Sequence, residues 1–325
     1  MKLVLRLGRA AAAITLLTAL ASGCAHEPEI ADYREARALS DQALDLMNAD
    51  ENEAAIRILS RVVAYNGGEP RDLERRATAY AALNQNDAAL RDLNNAALKD
   101  PSNWRTHLLR AVTNQKLSRF GDAIQDLDRA LELKATDPEL VRRRAYLRML
   151  TGNFDGALTD YDQLMRMVPN SGVGAFGRAV ALYLAGKFDA AAMEFDRQLR
   201  AEPRDGGLAL WMVKSSLRSR APLVWEQFAD KAGPQPEWVM IRELLNDSAM
   251  DSVTQEVSRL RNPEPGRRTV GACEHALFLG TWASLKGHAA NARTSLDSAV
   301  EACPADSIER TEARTELARV QRTLN

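Results

Sequence analysis

Slid against itself, the sequence repeats with one period of 34 residues, and this period constrains the fold more than any other feature. Windows open at Ala36, Pro70, Trp104, Pro138 and Gly172 with no insertion between them. Their eighth residues are Ala43, Ala77, Ala111, Ala145 and Ala179, and their twentieth are Ala55, Ala89, Ala123, Ala157 and Ala191. Small side chains at two fixed places let paired elements approach closely. Bulky residues recur at the twenty-fourth place as Leu59, Leu93, Leu127, Tyr161 and Phe195, which suits them to fill the space between those elements. Pro101, Pro169 and Pro203 share the thirty-second place, where a helix must end. Turn signals agree: Gly152-Asn153-Phe154-Asp155 and Gly186-Lys187-Phe188-Asp189 fall at one place in successive windows. A unit of this length holds two helices and a turn, and it buries its apolar face only by stacking on its neighbours.

The pattern resembles the tetratricopeptide repeat (TPR), a helix, a short turn and a second helix per unit. That resemblance implies an all-α fold, a right-handed superhelical solenoid with five repeats over residues 36–205. Composition agrees, since 46% hydrophobic but only 6% aromatic content favours helices packed on small residues over a β-sandwich. After Asp205 the pattern degenerates: residues 206–219 read as a first helix, but the partner helix contains Pro222 and Trp225. Residues 206–272 are expected to hold this degenerate repeat and shorter helices, Pro236 to Leu245 and Ser248 to Leu260, before a loop at Asn262 to Arg268. A final repeat spans 273–306, with Gly280, Gly287, Ala292, Leu296, Ala299 and Pro304 in register. The last helix is expected to open at Asp306, with Glu309 completing a capping box, so that residues 307–325 close the array. Ile308, Ala313, Leu317, Val320 and Leu324 form its apolar stripe.

A charged pattern runs through the repeats. The seventh residues of four windows are Arg76, Arg110, Arg144 and Arg178, and the twenty-third are Asp92, Asp126, Asp160 and Glu194. In the first window (Gln42, Ile58) and the last (Leu279, Ser295) both members are missing together. Joint presence and absence points to partnership, an arginine bonding a carboxylate on its own or the preceding repeat, and therefore to structural ion pairs.

The N-terminus reads as an export leader. Lys2, Arg6 and Arg9 precede an apolar run from Ala10 to Leu20, too short to span a bilayer. Leu20-Ala21-Ser22-Gly23-Cys24 resembles the lipobox of bacterial lipoproteins, which implies a signal peptide over 1–23, acylation of Cys24 and a flexible tether over 24–35. Acyl chains on one residue give stable anchoring, so the membrane is expected to be met through this lipid alone. Ala25 in place of aspartate suggests the outer membrane by the general sorting pattern. A narrower resemblance rests on Leu210-Trp211-Met212, Trp225, Trp238, Cys273-Glu274-His275-Ala276-Leu277-Phe278-Leu279-Gly280 and Glu312-Ala313-Arg314-Thr315-Glu316-Leu317. Over about residues 205–320 these look like the NlpI type of TPR lipoprotein. That family consists of periplasm-facing adaptors that bring a carboxy-terminal processing protease to peptidoglycan hydrolases. The resemblance implies a lipid-anchored adaptor in the cell envelope. The alternative is an assembly factor or pilotin for an outer-membrane or pilus secretion machine.

Catalysis is not expected. His26, His107, His275 and His288 are scattered, no pair has the helical spacing of a zinc site, and no phosphate loop or nucleophile elbow is present. No cofactor or metal is expected. With 43 basic against 44 acidic side chains the chain lacks the surplus that neutralising phosphates requires, so nucleic acid is not an expected partner. Proteins or peptides are. In a TPR superhelix the first helices line the concave face. Counting along them gives a groove of Arg105, Leu108, Val112, Gln115, Arg142, Tyr146, Met149, Phe176, Val180 and Tyr183, preceded by Arg71, Glu74 and Thr78. The bland reading is that some of these pack against the next repeat. Cys273 opens one helix of the last pair and Cys303 closes the other. Antiparallel packing puts these ends on one side, so they are expected either to form a disulfide or to stay as two small buried thiols.

Overall fold

The computed structural model describes residues 29–219, 236–245, 250–259 and 271–324. The leader, Cys24, His26, Pro222, Trp225 and the loop at Asn262 to Arg268 lie outside the described residues. Sixteen α-helices and no strand are present among the described ones. Five antiparallel pairs come first: α1 (Tyr33–Asn48) with α2 (Asn52–Asn66), α3 (Pro70–Ala82) with α4 (Asn86–Lys99), α5 (Trp104–Lys116) with α6 (Phe120–Leu133), α7 (Pro138–Leu150) with α8 (Phe154–Met167), and α9 (Gly172–Leu184) with α10 (Phe188–Ala201). Then follow α11 (Gly206–Ser219), α12 (Pro236–Leu245), α13 (Met250–Arg259), the pair α14 (Ala272–Leu285) and α15 (Ala289–Ala302), and the terminal α16 (Ile308–Leu324).

One turn geometry builds every pair. The fifteenth residue of each repeat adopts positive φ: Asp50, Asn84, Ser118, Gly152, Gly186 and Gly287. At the next residue the chain closes a six-to-one bond on the helix it has left. Examples are Glu51 N–H to the Leu46 carbonyl at 2.9 Å, Asn153 N–H to Arg148 at 2.8 Å and His288 N–H to Ala283 at 2.8 Å. This closure satisfies carbonyls that the helix end would otherwise leave unpaired. The eighth- and twentieth-place alanines of the five regular repeats are all buried, and so are the bulky residues between them. In the last repeat the eighth place is Gly280, where a methyl group would lie 2.6 Å from Leu296 Cγ, so α14 and α15 approach closer than an alanine allows.

Two boundaries differ from expectation. α1 starts at Tyr33 within the expected tether, because Asp32 caps it by accepting the Glu35 N–H at 2.9 Å. The capping box at Asp306 and Glu309 does not form. Ser307 caps the helix instead, its Oγ accepting the Arg310 N–H at 3.1 Å, so α16 begins at Ile308. The core is continuous from the third repeat to α16, while the first two repeats form smaller clusters.

Candidate binding face and its closure

The arginine ladder follows one rule. Each arginine bonds the twenty-third residue of its own repeat and the twenty-fifth of the repeat before it. Arg76 pairs with Asp92 at 2.7 Å and Ser60 at 3.3 Å; Arg110 with Asp126 at 2.5 Å and Asn94 at 3.3 Å. Arg144 pairs with Asp160 at 2.6 Å and Asp128 at 2.7 Å; Arg178 with Glu194 and Asp162, both at 2.7 Å. The guanidinium fork thus reaches both neighbours, which a lysine could not do with comparable geometry. Asp160 is 1% exposed and also accepts from Arg148 at 2.8 Å, whereas Asp128 is part-exposed. Arg144→Ala is therefore expected to cost about 3 kcal/mol, because it strips a buried carboxylate of one cation. Asp128→Ala should cost under about 1 kcal/mol, as for a surface pair. Urea unfolding of both variants checks this, and equal costs would mean that the contact between repeats dominates instead.

The ten groove residues divide. Arg105 is exposed, and Leu108, Val112, Gln115 and Arg142 are part-exposed on α5 and α7. Phe176 is 39% exposed and meets Phe195 edge-on. Met149, Val180 and Tyr183 are buried and offer no surface to a partner. The Tyr146 hydroxyl donates to the Asp306 carbonyl at 2.7 Å, and burial raises its pKa above the ordinary tyrosine range. The cause is one element. The superhelix brings the chain's end back on itself, and α16 and its approach pack against α7, α9, α11 and α14. Of the residues before this groove, Thr78 is exposed, while Glu74 accepts from Asn103 Nδ2 at 2.8 Å and from Thr106.

A buried polar network fastens α16. Glu316 is fully buried and accepts from Tyr183 Oη at 2.7 Å, from Arg319 Nη1 at 2.6 Å and from Arg218. Arg319 also donates to the Tyr183 and Leu184 carbonyls, both at 2.9 Å. Glu312 is 1% exposed and pairs with Lys214 at 2.7 Å. Burial pushes the Glu312 carboxyl above the usual glutamate range, and Lys214 opposes that shift. Desolvation likewise holds Tyr183 well above its ordinary value. None of Lys214, Arg218, Glu312, Glu316 and Arg319 stood out in the sequence as interacting. Their one signal was spacing: Lys214 and Arg218 stand four apart on one helix, Glu312 and Glu316 four apart on another.

Cys273 and Cys303 are joined in the structure, with Cα atoms 4.7 Å apart, tying the start of α14 to the end of α15. Among the described residues no helix is long and apolar enough to cross a membrane, and no group of His, Cys, Asp or Glu is placed to hold a metal ion. His107 is buried, with Nε2 3.1 Å from the Pro101 carbonyl.

This fold is a tetratricopeptide-repeat solenoid, and the tetratricopeptide repeat family model matches residues 74–138 and 142–206. Among solved structures, a tetratricopeptide repeat protein from Parabacteroides merdae is similar with a TM-score of 0.57 at 13% identity, covering 87% of this chain and 98% of that one. The C-terminal part of a TPR repeat-containing protein from Cytophaga hutchinsonii is similar with a TM-score of 0.52 at 15% identity, covering 81% and 95%. At such identities the likeness is one of fold. No curated protein matches this chain significantly in sequence.

Proposed function

We propose that this chain is a protein-binding scaffold, anchored to the periplasmic face of the bacterial outer membrane by a lipid on Cys24, which brings a processing protease or peptidoglycan hydrolases to the cell envelope. One observation carries the binding half of this reading. The inner-face places that meet α16 and its approach at Tyr146 and Tyr183, the ninth and the twelfth, recur at Val112 and Gln115, which remain part-exposed beside Leu108 one turn earlier on the same helix. A face that already holds one helix of its own chain offers the same register to a partner segment at the third repeat. Arg105 is exposed at one side of the apolar strip, while Arg142 on the other is paired with Glu139 at 2.6 Å, so an amphipathic helix with one acidic edge suits it. The envelope half rests on the lipobox and on the resemblance over residues 205–320.

Affinity capture from detergent-solubilised envelopes tests both halves, with mass spectrometry of the mature N-terminus alongside. Leu108→Glu with Val112→Glu is expected to cut partner capture at least about tenfold while leaving helical circular dichroism intact, since both sites sit at an interface centre and only partly in the core. Capture at the parental level would remove the groove from the reading. An unmodified terminus elsewhere than Cys24 would remove the anchor.

A further inference from the structure

Between α11, α12, α14 and α16 lies a cavity of about 200 Å³ that the groove does not include. Leu210, Trp211, Met240, Leu277 and Phe278 wall it. At its side Lys214 Nζ bonds Glu312 and lies 3.6 Å from the Trp211 ring centroid, so the lysine's charge is already matched. Among the described lining residues the carboxylates are Glu237, Glu274, Glu309 and Glu312, and Lys214 is the one cation. Glu309 is exposed at the rim.

A second observation is independent of this charge. Thr281 lines the same cavity, is 1% exposed, and its Oγ1 has no hydrogen-bond partner. A buried hydroxyl left unpaired is costly, and native structures seldom keep one without a use. Apolar walls, an acidic surround and an orphaned acceptor together describe the complement of a cationic head on an apolar stem. The volume is below the range of about 300–1,000 Å³ that holds a drug-sized molecule, so one long side chain is the fitting occupant.

We infer that this cavity receives an arginine or lysine side chain of a bound protein segment, its stem against Trp211 and Phe278 and an N–H donated to Thr281 Oγ1. An anion is excluded on charge, and the aromatic walls favour a cation beside them. The inference rests on the scaffold reading and adds a specificity element to it: the partner carries a basic residue for the sixth and seventh repeats as well as an apolar segment for the third.

Calorimetric titration of the purified full-length chain with Nα-acetyl-arginine amide, Nα-acetyl-lysine amide and Nα-acetyl-norleucine amide tests it. Saturable binding of the two cations is expected, with the uncharged norleucine probe weaker by about tenfold or more. Thr281→Val should weaken the cations about tenfold without lowering the Tm of the free chain, because valine keeps the shape and removes the orphaned hydroxyl. Glu309→Gln, at an exposed site that leaves the fold intact, should weaken them about threefold. Absence of saturable cation binding, norleucine binding as tightly as the cations, or Thr281→Val binding with parental affinity would each overturn the inference. Free agmatine matching acetyl-arginine amide would overturn the peptide source and assign the pocket to small amines. These probes report on the pocket alone, so their failure is distinguishable from a failure of partner capture in the groove variants.

Discussion

Glu316→Ala is expected to lower stability by about 3–5 kcal/mol, the cost of leaving buried charges without their counter-ion. The carboxylate is fully buried and accepts from Tyr183, Arg218 and Arg319, which belong to three different helices. Its removal strands two guanidinium groups and one phenol at the place where α16 meets α9 and α11. Stability in a repeat array is a sum of local units and their interfaces, so the loss should be local first. Hydrogen exchange is expected to show residues 308–324 losing protection while α3 to α6 keep theirs, and urea unfolding gives the overall cost. A cost below about 1 kcal/mol would show that apolar packing by Ala313 and Val320 holds α16 without the network.

Replacing both Cys273 and Cys303 by serine is expected to cost about 3 kcal/mol, chiefly by freeing a loop of 30 residues in the unfolded chain. The bridge ties the two ends of the α14 and α15 pair, and α16 rests on both helices. Loosening this pair therefore also weakens the seat of α16, and the variant should lose its C-terminal repeat before its N-terminal ones. Thermal unfolding with and without reductant reads the cost. Thiol titration of the unfolded, unreduced chain should find neither cysteine free. Two reactive thiols there would refute the bridge and leave the serine variant with only a small packing loss.

The sequence made the repeats legible because each depends on residues close together in the chain. The eighth- and twentieth-place alanines lie on the two helices of one unit, and a turn needs one residue at positive φ immediately before its closing bond. Such rules act within 34 residues and recur, so a single chain displays them several times over. The arginine ladder was legible for the same reason, since its first partner lies 16 residues away. Its second partner, 16 residues in the other direction, is charged only at Asp128 and Asp162 and not at Ser60 and Asn94, so no uniform charge marks that place in the sequence.

The groove was legible only in part. Helical spacing says which places on α5, α7 and α9 share one face, and Leu108 and Val112 are part-exposed on α5. It cannot say what else faces the same space. Met149, Val180 and Tyr183 stand at inward places and are nonetheless covered, because the path of the superhelix returns residue 306 to the side of Tyr146, 160 positions earlier.

What the sequence determined by itself is therefore the local unit: two helices, their turn, the small and bulky places that pack them, and the count of regular copies. What only the tertiary structure decided is how far those copies curl, and hence that α16 closes the inner face of the later repeats while that of the third stays open. The physical reason is accumulation. A small rotation per repeat is set by packing between neighbours, but its sum over seven repeats fixes whether two surfaces meet, and no single window of sequence contains that sum. The pairs Lys214 with Glu312 and Arg218 with Glu316, both 98 residues apart, exist because the curl brings their helices together, and the cavity beside Thr281 exists for the same reason.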